Sequence, residues 1–285
     1  MVDVKNYNPD FLEKLRRYRL MDDEFMRACF KDNPEAVQLV LRIILNDEKL
    51  RVITLKTQED MKNLFGKSTW FDIHAIDQYN RHLDIEIQNA SSGAGPHRAR
   101  YYSSMLDANI SNPAEEYSNL PDTFVIMIVE KDVLHGKLPL YHIDRMVEET
   151  GKPFSDGSHI IYVNGEYRGE DSLGVLMKDF HEFEPDKIHY PELRDRAHYL
   201  KYTKEGVSQM SDEFMKYVDE HKDEWFAEGK AKGIAEGIAQ GKTEGSNDML
   251  NIAQALRDGK SYSEIIELYN VTLEQITQMR QALGM

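Results

Sequence analysis

Three polar residues in one short stretch have the types and spacing of a metal site: Asp72, Glu86 and Gln88, in the pattern D-(x13)-E-x-Q. Residues alternate between apolar and polar on both sides of a tight loop, which predicts a hairpin of two half-buried strands. A loop over residues 78–80 would place Asp72 opposite Glu86. Because two facing carboxylates repel each other, we expect a cation between them, and open oxygen-rich sites suit Mg²⁺. Such an ion activates water and stabilises charge on a phosphoryl oxygen.

The alternation sorts the hairpin residues onto two faces. The apolar face is predicted to hold Phe71, Ile73, Ala75, Leu83, Ile85 and Ile87, and the polar face Asp72, His74, Asp84, Glu86 and Gln88. A plainer alternative stays open, because the solvent-facing side of a hairpin often carries Asp, Glu and Gln without any function. His74 and His82 are then either metal ligands or surface strand residues, and the spacing favours the surface position. Asp84 shares the polar face, but nothing in the spacing ranks it with Glu86.

Helices and strands around the hairpin must position these residues. Before the hairpin, the pattern predicts a lead-in helix within residues 1–20, helices between Asp22 and Leu45 with a break at Asp32-Asn33-Pro34, and a strand over Leu50 to Gln58. After the hairpin, it predicts a helix over Pro96 to Ile110 and a strand over Phe124 to Val129. The last run is continuously apolar, which is typical of a central parallel strand buried on both faces. This order of elements predicts an α/β fold, with a mixed sheet flanked by helices.

A small basic patch follows the hairpin, on the predicted helix that begins at Pro96. His97, Arg98 and Arg100 lie together at the start of this helix, and Tyr102 shares a helical face with Arg98. These cations could meet a phosphate backbone beside the carboxylates.

The composition limits the classes of protein. The chain has 285 residues, 41% of them hydrophobic, and a net charge of −15. This charge argues against a general electrostatic binder of nucleic acid, but it is compatible with a nuclease that has a local basic groove. The single cysteine, Cys29, excludes an intrachain disulfide and a cysteine-based zinc site, and its apolar surroundings predict a buried thiol. Without an apolar run of about 18–20 residues or a signal peptide, we expect a cytoplasmic protein that does not enter membranes.

The C-terminal half combines several patterns. Residues 138–170 look like strands and loops, with a hairpin signal at Asn164-Gly165, and residues 171–226 look like helices. Glycine then recurs at every fourth position from Gly229 to Gly245. Because interior glycines weaken a helix, this segment is either a helical arm used in oligomerisation or a flexible linker.

Residues 250–283 have the pattern of a helix-turn-helix, with the turn at Asn270-Val271-Thr272. The second helix has few basic residues beyond Arg280, so a module for packing or homo-oligomerisation is favoured over one that reads DNA. We therefore expect three parts: a main domain over residues 1–226 with its core at about 20–131, the glycine-repeat segment 227–247, and a small helical module over 248–285.

Several segments in order resemble the PD-(D/E)XK nuclease superfamily, and more closely its branch called recombination-promoting nuclease or putative transposase (Rpn). The core of the resemblance is F-D-I-H-A-I-D followed by L-D-I-E-I-Q, a glycine-rich loop and R-A-R-Y-Y-S-S. D-D-E-F-M and L-R-V-I-T-L-K-T-Q upstream, L-P-L-Y-H-I-D-R and G-S-H-I-I-Y-V-N-G downstream, and the glycine-repeat tail also match. The resemblance covers most of residues 20–245, and the ordered set of segments is more specific than the core motif alone.

The resemblance implies a restriction-endonuclease-like fold with a helical C-terminal extension, and a DNA endonuclease linked to recombination or transposition. Its cofactor would be Mg²⁺, with Mn²⁺ as an alternative, held by Asp72, Glu86 and the backbone carbonyl of Ile87. Gln88 falls where the superfamily has lysine, as is common in this branch. An acidic residue of the first helix, either Asp22 or Asp23, could join the site.

The loss of the lysine removes a positive charge from the transition-state environment, and Arg98 is the nearest expected substitute. Arg98, Arg100 and Tyr102 are expected to contact DNA. The alternatives are a nuclease-fold protein with weak or no activity that binds partners or oligomerises, and a DNA-binding regulator that uses the C-terminal helices.

Overall fold

The computed structural model describes residues 7–63, 68–89, 94–111 and 116–282. The chain divides into two compact units, Met1–Tyr217 and Val218–Met285. Within the described ranges, no helix is both long enough and apolar enough to cross a membrane.

The first unit contains a six-stranded sheet and the helices around it. The helices are α1 (Pro9–Arg17), α2 (Asp23–Phe30), α3 (Pro34–Leu45), α4 (Pro96–Ile110), α5 (Ser172–His181) and α6 (Pro191–Tyr202). The strands are β1 (Val52–Met61), β2 (Thr69–Asp77), β3 (His82–Gln88), β4 (Thr123–Val129), β5 (Leu140–Ile143), β6 (Met146–Val147), β7 (Lys152–Pro153) and β8 (Ser158–Asn164). Short 3₁₀ turns lie at Tyr117–Asn119 and Pro185–Lys187.

The large sheet has the order β1-β2-β3-β4-β8-β5, while β6 and β7 form a separate ribbon. The three central strands β3, β4 and β8 are parallel, and the outer pairings are antiparallel. The predicted mixed sheet flanked by helices is therefore confirmed. β4 is the central parallel strand expected over Phe124 to Val129, and its residues from Val125 onward are buried.

Local sequence explains where the helices before the sheet begin. The side chain of Asn33 accepts a hydrogen bond from the backbone N–H of Ala36, and Pro34 occupies the first helical position, so α3 starts after the predicted break. α1 is the expected lead-in helix, and Cys29 on α2 is buried as predicted.

Apolar side chains cover both faces of the sheet, as central parallel strands require. On one face, residues of α2, α3, α5 and α6 pack with Ile73, Ala75, Leu83, Ile85, Ile87, Ile126 and Ile128. On the other face, α4 contributes Ala99, Tyr102, Met105 and Leu106, which pack with Phe71, Val125, Met127 and Tyr162. The polar residues of the hairpin thus lie in a sheet that is covered by helices on both sides.

Phe71 lies on a different face from the one predicted. The alternation placed it with Ile73, but it belongs to the cluster under α4 and its ring stacks on Tyr102 with centroids 5.5 Å apart. Gln58, which stands between the β1 residues that pair with Ile73 and Phe71, has a φ of 55°. The left-handed backbone of Gln58 thus lies in the strand that pairs with this stretch, at the level where the side-chain alternation of β2 departs from the prediction.

The predicted hairpin at Asn164-Gly165 is wrong. β8 ends at Asn164, and the next regular element of appreciable length is α5, while β8 pairs with β4 and with the preceding strand β5. The N–H of Gly165 donates to the carbonyl of Val129 at 2.8 Å. A Cβ at Gly165 would lie 2.4 Å from that carbonyl oxygen, so the glycine serves a close backbone approach.

Helix α7 (Lys204–Arg257) runs from the first unit into the second. It continues through Gly229, Gly233 and Gly237, where an added Cβ would meet nothing within 4 Å. The glycine-repeat segment is therefore helical and is not a flexible linker. Its use in oligomerisation stays a prediction.

The second unit ends in α8 (Tyr262–Tyr269) and α9 (Leu273–Ala282), which pack with the end of α7 around Ile252, Ala255, Ile265 and Ile276. Ser261 and Glu264 form a capping box at the start of α8. Asn270 ends α8 in the left-handed conformation, within the turn that the sequence predicts.

Replacing Gly165 with alanine is expected to destabilise the first unit by about 1–3 kcal/mol, because the new methyl group would overlap the Val129 carbonyl. Urea denaturation followed by circular dichroism measures this change. Gly95→Ala is the control, since its added Cβ meets nothing within 4 Å. Unchanged stability of Gly165→Ala would contradict the close approach.

Candidate active site

Asp72 and Glu86 face each other across the β2–β3 pair. The ladder joins His74 to Asp84 and ends at the pair Ile73 and Ile85, the register that the predicted loop length requires. Asp72 and Glu86 are the next residues of the two strands, and they are joined through a side chain. The N–H of Asp72 donates to Oε1 of Glu86 at 3.0 Å, and the N–H of Ile87 donates to Oδ2 of Asp72 at 3.2 Å. Each carboxylate is therefore held by a backbone N–H of the opposite strand.

Burial distinguishes this site from an ordinary polar strand face. The exposed fraction is 9% for Asp72, 0% for Asp84 and 1% for Glu86. Carboxylates are rarely this buried unless they are paired or bind a metal. The alternative of a solvated hairpin face is therefore wrong.

The buried carboxyls favour their neutral forms in the free protein. Burial raises the pKa of Asp72 to about 6, with a further rise from the Asp23 charge and an opposing effect of the Ile87 N–H. Burial also raises the pKa of Glu86 and of Asp84 well above the usual range, and the Asp72 charge adds to both. A bound cation would reverse this preference, because it stabilises the ionised forms.

Free oxygen atoms are present where a cation would need ligands. Within the described residues, both carboxylate oxygens of Asp84 and Oε2 of Glu86 are buried without a hydrogen-bond partner. The same part of the chain contains no group of three or more His, Cys, Asp or Glu side chains that could hold a metal ion.

Gln88 lies at the end of β3, beyond Glu86 on the same side of the strand by alternation. Its side chain is half-buried, and its carbonyl accepts a hydrogen bond from the N–H of Glu130 at 2.9 Å. The parallel neighbour β4 therefore fixes the backbone of Gln88 next to the carboxylate pair.

Arg98 of α4 brings a positive charge to the carboxylates. Its Nη2 lies 3.8 Å from Oε2 of Glu86 and donates to the hydroxyl of Tyr102 at 2.8 Å. The guanidinium also lies over the Tyr102 ring, 5.1 Å from the centroid. Burial raises the pKa of Tyr102 to about 12, so this hydroxyl stays protonated at neutral pH. The structure brings Arg98 to the site, as the sequence predicts.

Tyr102 and Arg100 have different surroundings. Tyr102 is 5% exposed and is stacked on Phe71, so its position corrects the expectation that it contacts DNA directly. Its contacts instead hold Arg98. Arg100 and His97 are exposed on the first turns of α4, where a phosphate backbone could reach them.

The two acidic residues at the start of α2 differ in their partners. Asp22 accepts hydrogen bonds from the guanidinium of Arg19 at 2.9 Å and from its backbone N–H at 2.7 Å. Asp23 pairs with Arg27 at 3.1 Å, and its charge raises the pKa of Asp72. Arg27 partly offsets this effect at Asp72.

Sequence reasoning missed a pair of imidazoles beside the site, of which His74 is buried and His82 half-buried. His74 is 6% exposed, so the expected surface position is wrong. Its Nδ1 lies 2.5 Å from Oε2 of Glu59, and its Nε2 lies 3.1 Å from Nδ1 of His82. Burial lowers the pKa of His82 to about 4, with a further decrease from His74, so His82 is neutral at pH 7. The position of β2 between β1 and β3 accounts for this burial, because the side chains of a middle strand have neighbours on both adjacent strands.

Comparison with known proteins finds one matching family. Residues 30–166 match the family described as PD-(D/E)XK nuclease family transposase, and this range contains Asp72, Glu86, Gln88 and Arg98. No curated protein and no solved structure matches the chain significantly.

Replacing Asp72 with asparagine is expected to stabilise the metal-free protein at about pH 8. The folded-state pKa of Asp72 is raised from 3.8 to about 6, so its ionisation opposes folding above that pH and has no effect where both states are neutral. The gain in unfolding free energy should be about 1–3 kcal/mol at pH 8 and should vanish towards pH 4. Urea denaturation in EDTA at the two pH values measures it.

The matched control is Asp60→Asn, because Asp60 is an exposed carboxylate on the neighbouring strand. An equal gain at both pH values, or a loss at pH 8, would show that Asp72 is not a strained buried acid.

Proposed function

Because residues 30–166 match the PD-(D/E)XK nuclease family transposases, we propose that this chain is a metal-dependent DNA endonuclease that hydrolyses phosphodiester bonds during recombination or transposition. The observation that carries the proposal is the buried carboxylate pair Asp72 and Glu86, locked by backbone hydrogen bonds and open at Oε2 of Glu86. Mg²⁺ is the proposed cofactor and Mn²⁺ its substitute. DNA is the proposed substrate, and the cytoplasmic location stays a prediction.

Asp72, Glu86 and the carbonyl of Ile87 are the proposed metal ligands. When bound, the ion would supply an activated water and stabilise charge on a phosphoryl oxygen. The protein's part is orientation, since the backbone N–H groups of Asp72 and Ile87 fix one oxygen of each carboxylate and direct the others. Asp23 adds negative charge nearby, which increases the attraction for a cation.

Arg98 and Gln88 are proposed to act on the phosphate and the water. Arg98 is close enough to Glu86 to place its guanidinium beside a phosphate held at the site, where it would stabilise the developing negative charge. Gln88 is neutral and can orient water through its amide, but it cannot supply the charge of the superfamily's lysine. The transition-state charge therefore depends on Arg98.

The exposed start of α4 gives DNA a local point of attachment. His97 and Arg100 are exposed there, next to the partly exposed Arg98. With a net charge of −15 on the chain, only such a local patch can attract the phosphate backbone. We propose Arg98 and Arg100 as the backbone contacts, with Tyr102 as support for Arg98.

A nuclease-fold protein that binds or oligomerises with weak or no catalysis is the second candidate. The observation in its favour is that Gln88 is neutral and that Arg98 already donates to Tyr102. The three-part division at 226–227 and 247–248 and homo-oligomerisation through the C-terminal region remain proposals.

Plasmid cleavage tests the leading proposal. Wild-type protein with Mg²⁺ or Mn²⁺ should nick or linearise supercoiled DNA, and Asp72→Asn and Glu86→Gln should each lower the rate by at least about 100-fold, because each removes a metal ligand. Equal cutting by wild type and both variants would refute the assignment. If no metal supports cutting, a rise in melting temperature with metal would favour the inactive binding protein, whose site still holds the ion.

Arg98→Met should lower kcat by about 100-fold, because it removes the positive charge nearest to the carboxylates. Arg100→Met is the matched control and should chiefly weaken DNA binding, which appears as a higher KM. Single-turnover cleavage at saturating protein separates the two effects. If the two variants behave alike, Arg98 is an ordinary backbone contact.

A further inference from the structure

Two imidazoles meet across β2 and β3, and the proposed reaction uses neither of them. His74 lies in β2 and His82 at the start of β3. Their ring centroids are 5.2 Å apart, and Nε2 of His74 lies 3.1 Å from Nδ1 of His82. His74 is buried and His82 is half-buried, so the pair can be reached from the His82 side.

Glu59 of β1 fixes which nitrogen of His74 carries the proton. An ionised carboxylate only accepts hydrogen bonds, so Nδ1 of His74 donates to Oε2 of Glu59 at 2.5 Å. Lys56 holds the other oxygen of Glu59 at 2.5 Å. The neutral His74 ring therefore has its lone pair on Nε2, the nitrogen that faces His82. A carboxylate on the far nitrogen is the usual second partner of a histidine that binds a metal.

The two facing nitrogens have the separation of two ligands of one ion. Zn–N bonds of about 2.0–2.1 Å at a tetrahedral angle place two nitrogens about 3.3 Å apart. The observed separation is 3.1 Å. In the metal-free protein Nδ1 of His82 donates to Nε2 of His74, and this proton moves to Nε2 of His82 when an ion binds. A tilt of the half-buried His82 ring then directs both lone pairs to the ion.

Negative charge lies beside the imidazoles and attracts a cation. Asp84 stands directly opposite His74 in the β2–β3 ladder and is fully buried. Among the described residues, both of its carboxylate oxygens are buried without a hydrogen-bond partner. Glu59 and Asp77 also act electrostatically on His82, each in the direction that favours positive charge there.

We propose that His74 and His82 bind a divalent transition-metal ion, with Zn²⁺ as the first candidate, and that Glu59 orients His74 for it. In the part of the chain that the structure describes, no group of three His, Cys, Asp or Glu side chains could hold a metal ion, so water completes the coordination. Imidazole suits Zn²⁺, whereas carboxylate and water suit Mg²⁺, so this site selects a different metal from the carboxylate pair. The ion would join β2 to β3, and the site does not depend on the nuclease function.

Calorimetric titration with Zn²⁺ tests the site in the full-length protein. Excess Mg²⁺ is present, so that ions bound through carboxylates alone are competed away. Wild type should bind one Zn²⁺ that His82→Gln and His74→Gln each lose or bind at least about tenfold more weakly, because each removes a nitrogen ligand. His142→Gln is the matched control, since His142 is an exposed histidine of the edge strand β5. No Zn²⁺ binding by wild type, or equal binding by wild type and His82→Gln, would overturn the proposal.

Glu59→Gln separates the orienting role from ligation. It should weaken Zn²⁺ binding by about 10–100-fold, because the ring loses its carboxylate partner while both nitrogens remain. Equal melting temperatures in EDTA establish that the variants fold. Electron paramagnetic resonance with one equivalent of Cu²⁺ should show coupling to nitrogen in wild type and its loss in His82→Gln. Unchanged nitrogen coupling in that variant would refute the site. Loss of Zn²⁺ binding in His82→Gln supports it even if plasmid cleavage fails, which would refute the nuclease proposal alone.

Discussion

The burial of like charges is the constraint on which this architecture depends. Asp72, Asp84 and Glu86 lie close to one another in a covered sheet, and their mutual repulsion adds to the desolvation that raises their pKa values. The fold tolerates this arrangement because Asp72 and Glu86 each accept a backbone N–H from the facing strand. These bonds give the pair a fixed geometry in the free protein.

Helix α4 both covers one face of the sheet with apolar residues and brings an arginine to the carboxylates. Its apolar residues, such as Met105 and Leu106, cover the sheet and exclude water from the carboxylates. Its first turns carry Arg98, whose guanidinium reaches Glu86 and is held by Tyr102. The same packing therefore raises the pKa values of the acids and supplies the nearest opposite charge.

Other groups near the three carboxyls add little positive charge, which accords with the raised pKa values that favour the neutral acids. The imidazoles of His74 and His82 bond to each other, and burial lowers the pKa of both, so they bring no positive charge at neutral pH. Asp23 adds a negative charge, while Arg27 partly offsets it at Asp72.

The sequence by itself determined the elements and the register of the hairpin. Strand period and loop length place Asp72 opposite Glu86, the apolar run of β4 identifies the central strand, and Pro96 marks the start of α4. These features are local, because they depend on residues that are neighbours along the chain or across one turn. The family match over residues 30–166 adds the likeness to nucleases.

Only the tertiary structure decided what covers each face. The pattern of β2 and β3 assigns residues to the two sides of a strand. It does not show that α4 covers one of these sides, or that Phe71 stacks on Tyr102 there. The same limit hid the burial of His74 and the difference between Asp22 and Asp23. Burial depends on packing between segments that are distant in the sequence, and the pKa values follow from burial. The periodicity of one segment does not show which distant segments pack on it.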